Sequence, residues 1–230
     1  MLIRVGLELN NEGRAIAWAL DFPGCFAYGK EGPEAVITLP TALVAYEDWA
    51  NQRGGPGWMD LGDFDLRLVE TWQCYTIDEH YELAQEGYGV ESFFRNDWKP
   101  LTEEDAARGL ALLRWTREDL LHSAADLSDE QLDRERPGER WSIRGILKHV
   151  AGAEWWYLDR LGLAPGQPPI DEKERLVFVR ERLNAALPEL VGKEVVIGKE
   201  GELWSPRKLL RRALWHELDH VQHILKLRFS

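Results

Sequence analysis

A chain of 230 residues is longer than one typical compact domain of roughly 100 to 150 residues and suits two. With 44% hydrophobic and 30% charged residues, it has the composition of a soluble globular protein with a core in each half, which excludes intrinsic disorder. The net charge of -12 is uneven: residues 1–100 hold 7 Lys+Arg against 17 Asp+Glu, an acidic surface that repels phosphate backbones and argues against a nucleic-acid partner.

The elements begin with Leu2, Ile3, Val5, Leu7 and Leu9, whose spacing predicts a strand. A turn at 10–13 leads into a second strand over Ala15 to Leu20. Pro23-Gly24 turns the chain again, and Cys25 to Tyr28 suit a third short strand. Pro33 stands where a first helical position belongs and opens a helix through AVITLPTALVAYEDWANQ, made imperfect by Pro40. A glycine-rich loop, NQRGGPGWMDLGD, precedes a fourth strand at Asp65 to Trp72. Three strands, a helix and a strand make a small α+β domain assigned to residues 1–98. Residues 73–100 lack sustained periodicity and read as its end plus a connector with room for one more strand. The hairpin, the segment DFPGCFAYG and the alanine-rich helix resemble the HicB-like antitoxin domain over about residues 1–75. That resemblance implies a small protein partner for this domain.

From Thr102 the texture becomes helical, and residues 99–230 read as an all-α four-helix bundle. Thr102 and Asp105 have capping-box spacing, and Leu110, Leu113, Leu120 and Ala124 follow at helical intervals. LSDEQLDRERPGE is a short capped turn and loop. Ser142 opens a second helix with an inner stripe expected at Ile146, His149, Ala153 and Trp156. GLAPGQPPID breaks the chain. A third helix runs from about Glu172 through Leu176, Val179, Leu183 and Leu187, with Pro188 near its end. VGKEVVIGKEGELW has the glycines of a short hairpin, and Ser205-Pro206 is a helix start, hydroxyl as N-cap and proline at the first position.

Two cysteines, Cys25 and Cys74, provide neither a disulfide framework nor a C-x-x-C motif, so a metal site here has to use histidines and carboxylates. On the last helix, Leu209, Ala213, His216, His220, Ile224 and Leu227 form one stripe. Residues four apart share a face about 6 Å along the axis, so two imidazoles can converge on one ion. His149 supplies a third nitrogen from the second helix. Leaving several imidazoles unsatisfied in apolar surroundings costs roughly 1–3 kcal/mol each, a cost that a shared cation removes. His223 is too far along the axis from His216 to share an ion with it and reads as a supporting or surface group. Glu154 reads as a surface salt-bridge partner, and Glu217 points about 100° away from His216. His80 and His122 read as surface residues. HELDH also fits the letters of the H-E-x-x-H protease motif, but a helical bundle without a cleft sequence does not suit that chemistry.

RWSIRGILKHVAGAEWWYLDRLG, LWHELDHVQHI and LSDEQLD together resemble the DinB/YfiT-like family of bundle metalloenzymes over about residues 102–228. The resemblance implies one divalent ion, zinc or nickel, on His149, His216 and His220, with frequent homodimers. It also implies thiol-dependent transfer, isomerisation or hydrolysis of a small-molecule substrate, with a low-molecular-weight thiol as cosubstrate in the first case. The apolar runs are too short to cross a bilayer and the N-terminus lacks the pattern of a signal peptide, so a cytoplasmic protein with no membrane partner is expected. The alternative is a non-catalytic, antitoxin-like interaction protein whose bundle is stabilised by metal.

Overall fold

The computed structural model describes residues 1–164 and 166–229. The chain divides into two compact units: Met1–Lys99 with Glu194–Lys208, and Pro100–Lys193 with Leu209–Ser230. The division departs from a single cut after residue 98, because residues 194–208 group with the first unit.

In the first unit, β1 (Leu2–Asn11), β2 (Arg14–Ala19) and β3 (Phe26–Gly29) are successive antiparallel neighbours, and α1 (Gly32–Gly54) leads to β4 (Asp65–Gln73), parallel to β1. The sheet order is β3-β2-β1-β4. Glu12 and Gly13, with φ of 51° and 79°, close the first hairpin in the doubly positive conformation that suits the twist of the strands. Helix α1 packs over β1, β2 and β3 through Ala35, Leu39, Leu43, Tyr46 and Ala50. It runs unbroken through Pro40, where burial of this stripe outweighs the lost backbone hydrogen bond. Gly29 is obligatory at the strand-to-helix approach, since a Cβ there would lie 2.3 Å from the Ala35 backbone nitrogen.

Residues 73–98 contain more structure than a connector with one further strand. Strands β5 (Tyr75–Ile77), β6 (Leu83–Ala84) and β7 (Tyr88–Val90) form a sheet ordered β6-β5-β7, followed by a 3₁₀ turn at Arg95–Trp98. The segment after β7 covers the second face of β1. The Phe94 ring fills the space above Gly6, where a Cβ would meet it at 2.8 Å. Ser92 donates to Glu8 from its backbone nitrogen at 3.0 Å and its hydroxyl at 2.8 Å. Trp18 Nε1, Asn11 Nδ2 and Cys74 Sγ also donate to Glu8, at 2.9, 3.1 and 3.2 Å, so this fully buried carboxylate is well supplied with donors.

The hairpin β8 (Ile197–Lys199) and β9 (Glu202–Trp204) contributes another buried carboxylate, Glu202, to the same unit. Glu202 accepts from Lys208 Nζ at 2.6 Å, Trp204 Nε1 at 2.8 Å and the Tyr88 hydroxyl at 2.9 Å.

The second unit is helical. It contains α2 (Glu103–Ala124), short α3 (Asp129–Asp133), α4 (Ile143–Arg160), α5 (Glu172–Glu189) and, from Leu209 on, α6 (Pro206–Phe229). Each start has its chemical cause. Thr102 and Asp105 form a reciprocal capping box at 2.9 and 3.0 Å, as do Ser128 and Gln131. Ser142 caps α4 through the Gly145 nitrogen, Asp171 caps α5, and the Ser205 hydroxyl accepts from Lys208 N. The expected break between α4 and α5 is present, although Pro165 within it lies outside the described residues. No described helix is long and apolar enough to cross a membrane.

Two predictions test this packing. Burial pushes the Cys25 thiol far above its ordinary pKa, and Cys74 is buried against Glu8. Neither thiol should react with an aromatic disulfide reagent at mildly alkaline pH until denaturant is added, when two equivalents per chain should appear. Removing the α4 cap by Ser142→Ala should lower stability by about 0.5–2 kcal/mol in urea unfolding followed by circular dichroism.

Candidate functional site

Helix α4 buries Ile146, Leu147, Val150, Ala151, Glu154 and Leu158. His149, Ala153 and Trp156, expected in the middle of the stripe, are half-buried along its margin. Helix α6 carries His216 and His220 one turn apart, both buried. The three histidines expected from the sequence come together. His216 Nε2 lies 3.0 Å from His149 Nε2 and 3.2 Å from His220 Nε2, and one ring nitrogen from each of the three falls within 4.8 Å of the others.

This convergence suits a cation. Nitrogens bound at about 2.0–2.1 Å to one ion, at angles between octahedral and tetrahedral, stand about 2.8–3.4 Å apart, and both of these pairs fall in that range. A proton can bridge two imidazole nitrogens, but the third lone pair then faces them without a donor. Burial, followed by the charges of His220, His149 and Arg212, lowers the His216 pKa well below its usual value. Burial, followed by His149 and His223, lowers His220 to about 3. Both rings are therefore neutral near pH 7 and present lone pairs. The Nδ1 of His220 is buried without a hydrogen-bond partner, so nothing on that side selects the tautomer and the Nε2 side decides it.

Aromatic rings wall the cluster. Trp141 stacks on His149 at 4.3 Å between centroids, Tyr157 meets His216 edge-on at 6.0 Å, and Trp215 tilts against His216 at 5.8 Å. Trp141 belongs to the loop after α3, which is tied down by Glu139. That carboxylate is paired with His223 at 2.9 Å and with Lys226 at 3.1 Å, and these two bonds hold it below the usual carboxylate range. His223 is thus a tether for the loop and stands outside the convergent trio. His80 and His122 are exposed.

Sequence reasoning missed what lies behind the histidine-bearing helices. Glu154, expected in a surface salt bridge, is buried in an ionic quartet with Arg117, Arg180 and Glu217, one member from each of α4, α2, α5 and α6. Arg117 donates to Glu217 at 2.6 Å and to Glu154 at 2.7 Å, while Arg180 donates to Glu154 at 2.9 Å and to Glu217 at 2.7 Å. Thr116 adds a hydroxyl to Glu217, and the carbonyls of Leu176 and Leu113 accept from Arg117 and Arg180. Burial acts to raise the Glu217 pKa, but the charges of Arg180 and Arg117 outweigh it and hold the carboxyl below its usual value. A buried arginine in a helical stripe looks like an irregularity until its partners on other helices are known, so no local signal exposes the set.

Residues 112–224, which include all three histidines, match the family model of the DinB superfamily. No curated protein matches the chain. Among solved structures, a protein described as YfiT from Bacillus subtilis, a probable metal-dependent hydrolase with an unusual four-helix bundle topology, is similar at 23% identity and a TM-score of 0.45. The similarity covers 58% of this chain and 93% of that one.

Removing one carboxylate of the quartet leaves two buried guanidinium groups undercompensated. Glu217→Ala should therefore cost about 3–5 kcal/mol, measured as a lower urea midpoint at unchanged m-value.

Proposed function

We propose that the helical unit holds one divalent ion, zinc or nickel, through the Nε2 atoms of His149, His216 and His220, and that the protein is a metal-dependent enzyme. Its reaction is the attack of water or a low-molecular-weight thiol on an electrophilic small molecule. The observation that carries this reading is the convergence of three ring nitrogens, two pairs of them 3.0 and 3.2 Å apart, within the stretch matching the DinB superfamily. Three protein ligands leave coordination positions open for substrate or nucleophile, and a bound divalent ion supplies Lewis acidity that lowers the pKa of such a nucleophile and polarises the electrophile.

The chain's own residues do the remaining work. Burial keeps His216 and His220 neutral, so they ligate without first losing a proton. Trp141, stacked on His149, fixes the plane of that ring and keeps water from its face. Tyr157 and Trp215 line the His216 side with the apolar surface that usually forms small-molecule sites. Half-buried His149 marks the side from which a substrate reaches the trio.

The test is metal content of untagged protein beside a His216→Ala/His220→Ala variant whose helicity is checked by circular dichroism. About one ion per chain in the parent and none in the folded variant is the expected result. No ion in the parent, even after reloading with zinc or nickel, would overturn the proposal. With the loaded protein, turnover of a generic electrophile that requires added thiol identifies a transferase, and ester or amide cleavage without thiol identifies a hydrolase.

A further inference from the structure

Away from the histidine trio, the helical unit contains a cavity of about 410 Å³ lined by residues of α2, α4 and α5 and by Leu127 and Leu132 of the α3 region. Leu132, Leu147 and Leu176 belong to the unit's main apolar cluster, so the cavity opens that core to the surface. None of the three histidines lines it, nor does Trp141 or Tyr157. Its mouth carries exposed apolar side chains, Leu121 and Val177, 45% and 55% exposed, and Ala124 lines the wall with a side chain too short to fill it.

From these features we propose that the cavity is a binding site for an uncharged, largely hydrocarbon small molecule, separate from the proposed metal centre. Three observations favour that occupant. The two guanidinium groups in the wall, Arg117 and Arg180, direct hydrogen bonds to Glu154, Glu217 and backbone carbonyls, so their charges are met from behind. Lys173 and Glu181 stand at the rim on α5, eight residues apart, and their opposite charges balance, leaving nothing that selects an ionic ligand. The volume lies within the roughly 300–1,000 Å³ of small-molecule pockets, whereas one turn of helix with side chains fills about 500 Å³ from its diameter and pitch, too much for an inserted protein helix. An apolar cavity of this kind offers water few hydrogen-bond partners and accepts apolar molecules instead.

The probe is N-phenyl-1-naphthylamine, a neutral aromatic amine whose fluorescence rises in apolar surroundings, titrated into the full chain. Saturable enhancement with one site per chain is expected. Ala124→Phe and Val177→Trp, which fill the wall and the mouth, should each weaken binding by at least about tenfold while circular dichroism and melting remain close to the parent. The His216→Ala/His220→Ala variant should bind the probe as the parent does, so failure of the metal reading would leave this result untouched. Absence of saturable enhancement would overturn the proposal, as would equal binding by both filled variants. A dimer in sedimentation that Val177→Trp dissociates, with no probe binding by the parent, would assign the cavity to a second copy of the chain and overturn it as well.

Discussion

The ionic quartet of Arg117, Glu154, Arg180 and Glu217 is the constraint on which the helical unit depends. Helices that meet only through leucines can rotate about their axes at modest cost, because apolar contacts are non-directional and cores tolerate repacking. Charged hydrogen bonds between buried groups are directional, and each of the four long helices contributes one member. Glu217 follows His216 directly, and Glu154 lies five residues beyond His149. Fixing the carboxylates therefore fixes the phase of α4 and α6, and with it the direction in which the imidazoles project. Buried ion pairs are weak evidence for net stability. Here their role is registry: the quartet specifies one rotation of each helix.

The two sides of α6 use opposite electrostatic strategies. Toward the quartet, full charges are buried and neutralised in place. Toward the trio, burial removes the charge from the rings and leaves lone pairs. The polar groups on the two sides are each satisfied by a different set of neighbours. The Glu139 tether then holds the loop of Trp141 against the trio, so the outer wall rests on a hydrogen-bonding contact with His223 and an ion pair with Lys226.

How far the sequence exposes this arrangement depends on the range of the interactions involved. His216 and His220 are legible because four-residue spacing on an apolar stripe is a local pattern, and His149 because it falls at helical spacing from Ile146, although the structure sets it at the margin of the buried face. The starts of the long helices are legible for the same reason, since Thr102, Ser142 and Ser205 act on nitrogens three residues away, whereas the turn capped by Ser128 opens a short helix that the sequence reads as turn and loop. Arg117 and Arg180 are illegible, because a buried cation is credible only once its carboxylates on other helices are in view. Strands β5, β6 and β7 are too short, at two or three residues each, to establish an alternation. The cover that Phe94 and Ser92 place over β1 is a long-range fact that only the neighbouring Gly6 and Glu8 hint at. Pro40 misleads in the other direction, since local chemistry argues for a break that packing of Leu39 and Leu43 prevents.

The hairpin of β8 and β9 has a consequence for how the polypeptide is made. Its residues group with Met1–Lys99 although they follow α5 in the chain, and the buried Glu202 they supply meets Tyr88, Trp204 and Lys208. During vectorial synthesis the first 99 residues leave the ribosome without that carboxylate, and the Tyr88 hydroxyl has to wait for about half the chain to follow. The first unit therefore reaches its final hydrogen bonding only after residue 208 has been made, and a gene fragment ending at residue 99 encodes an incomplete version of it.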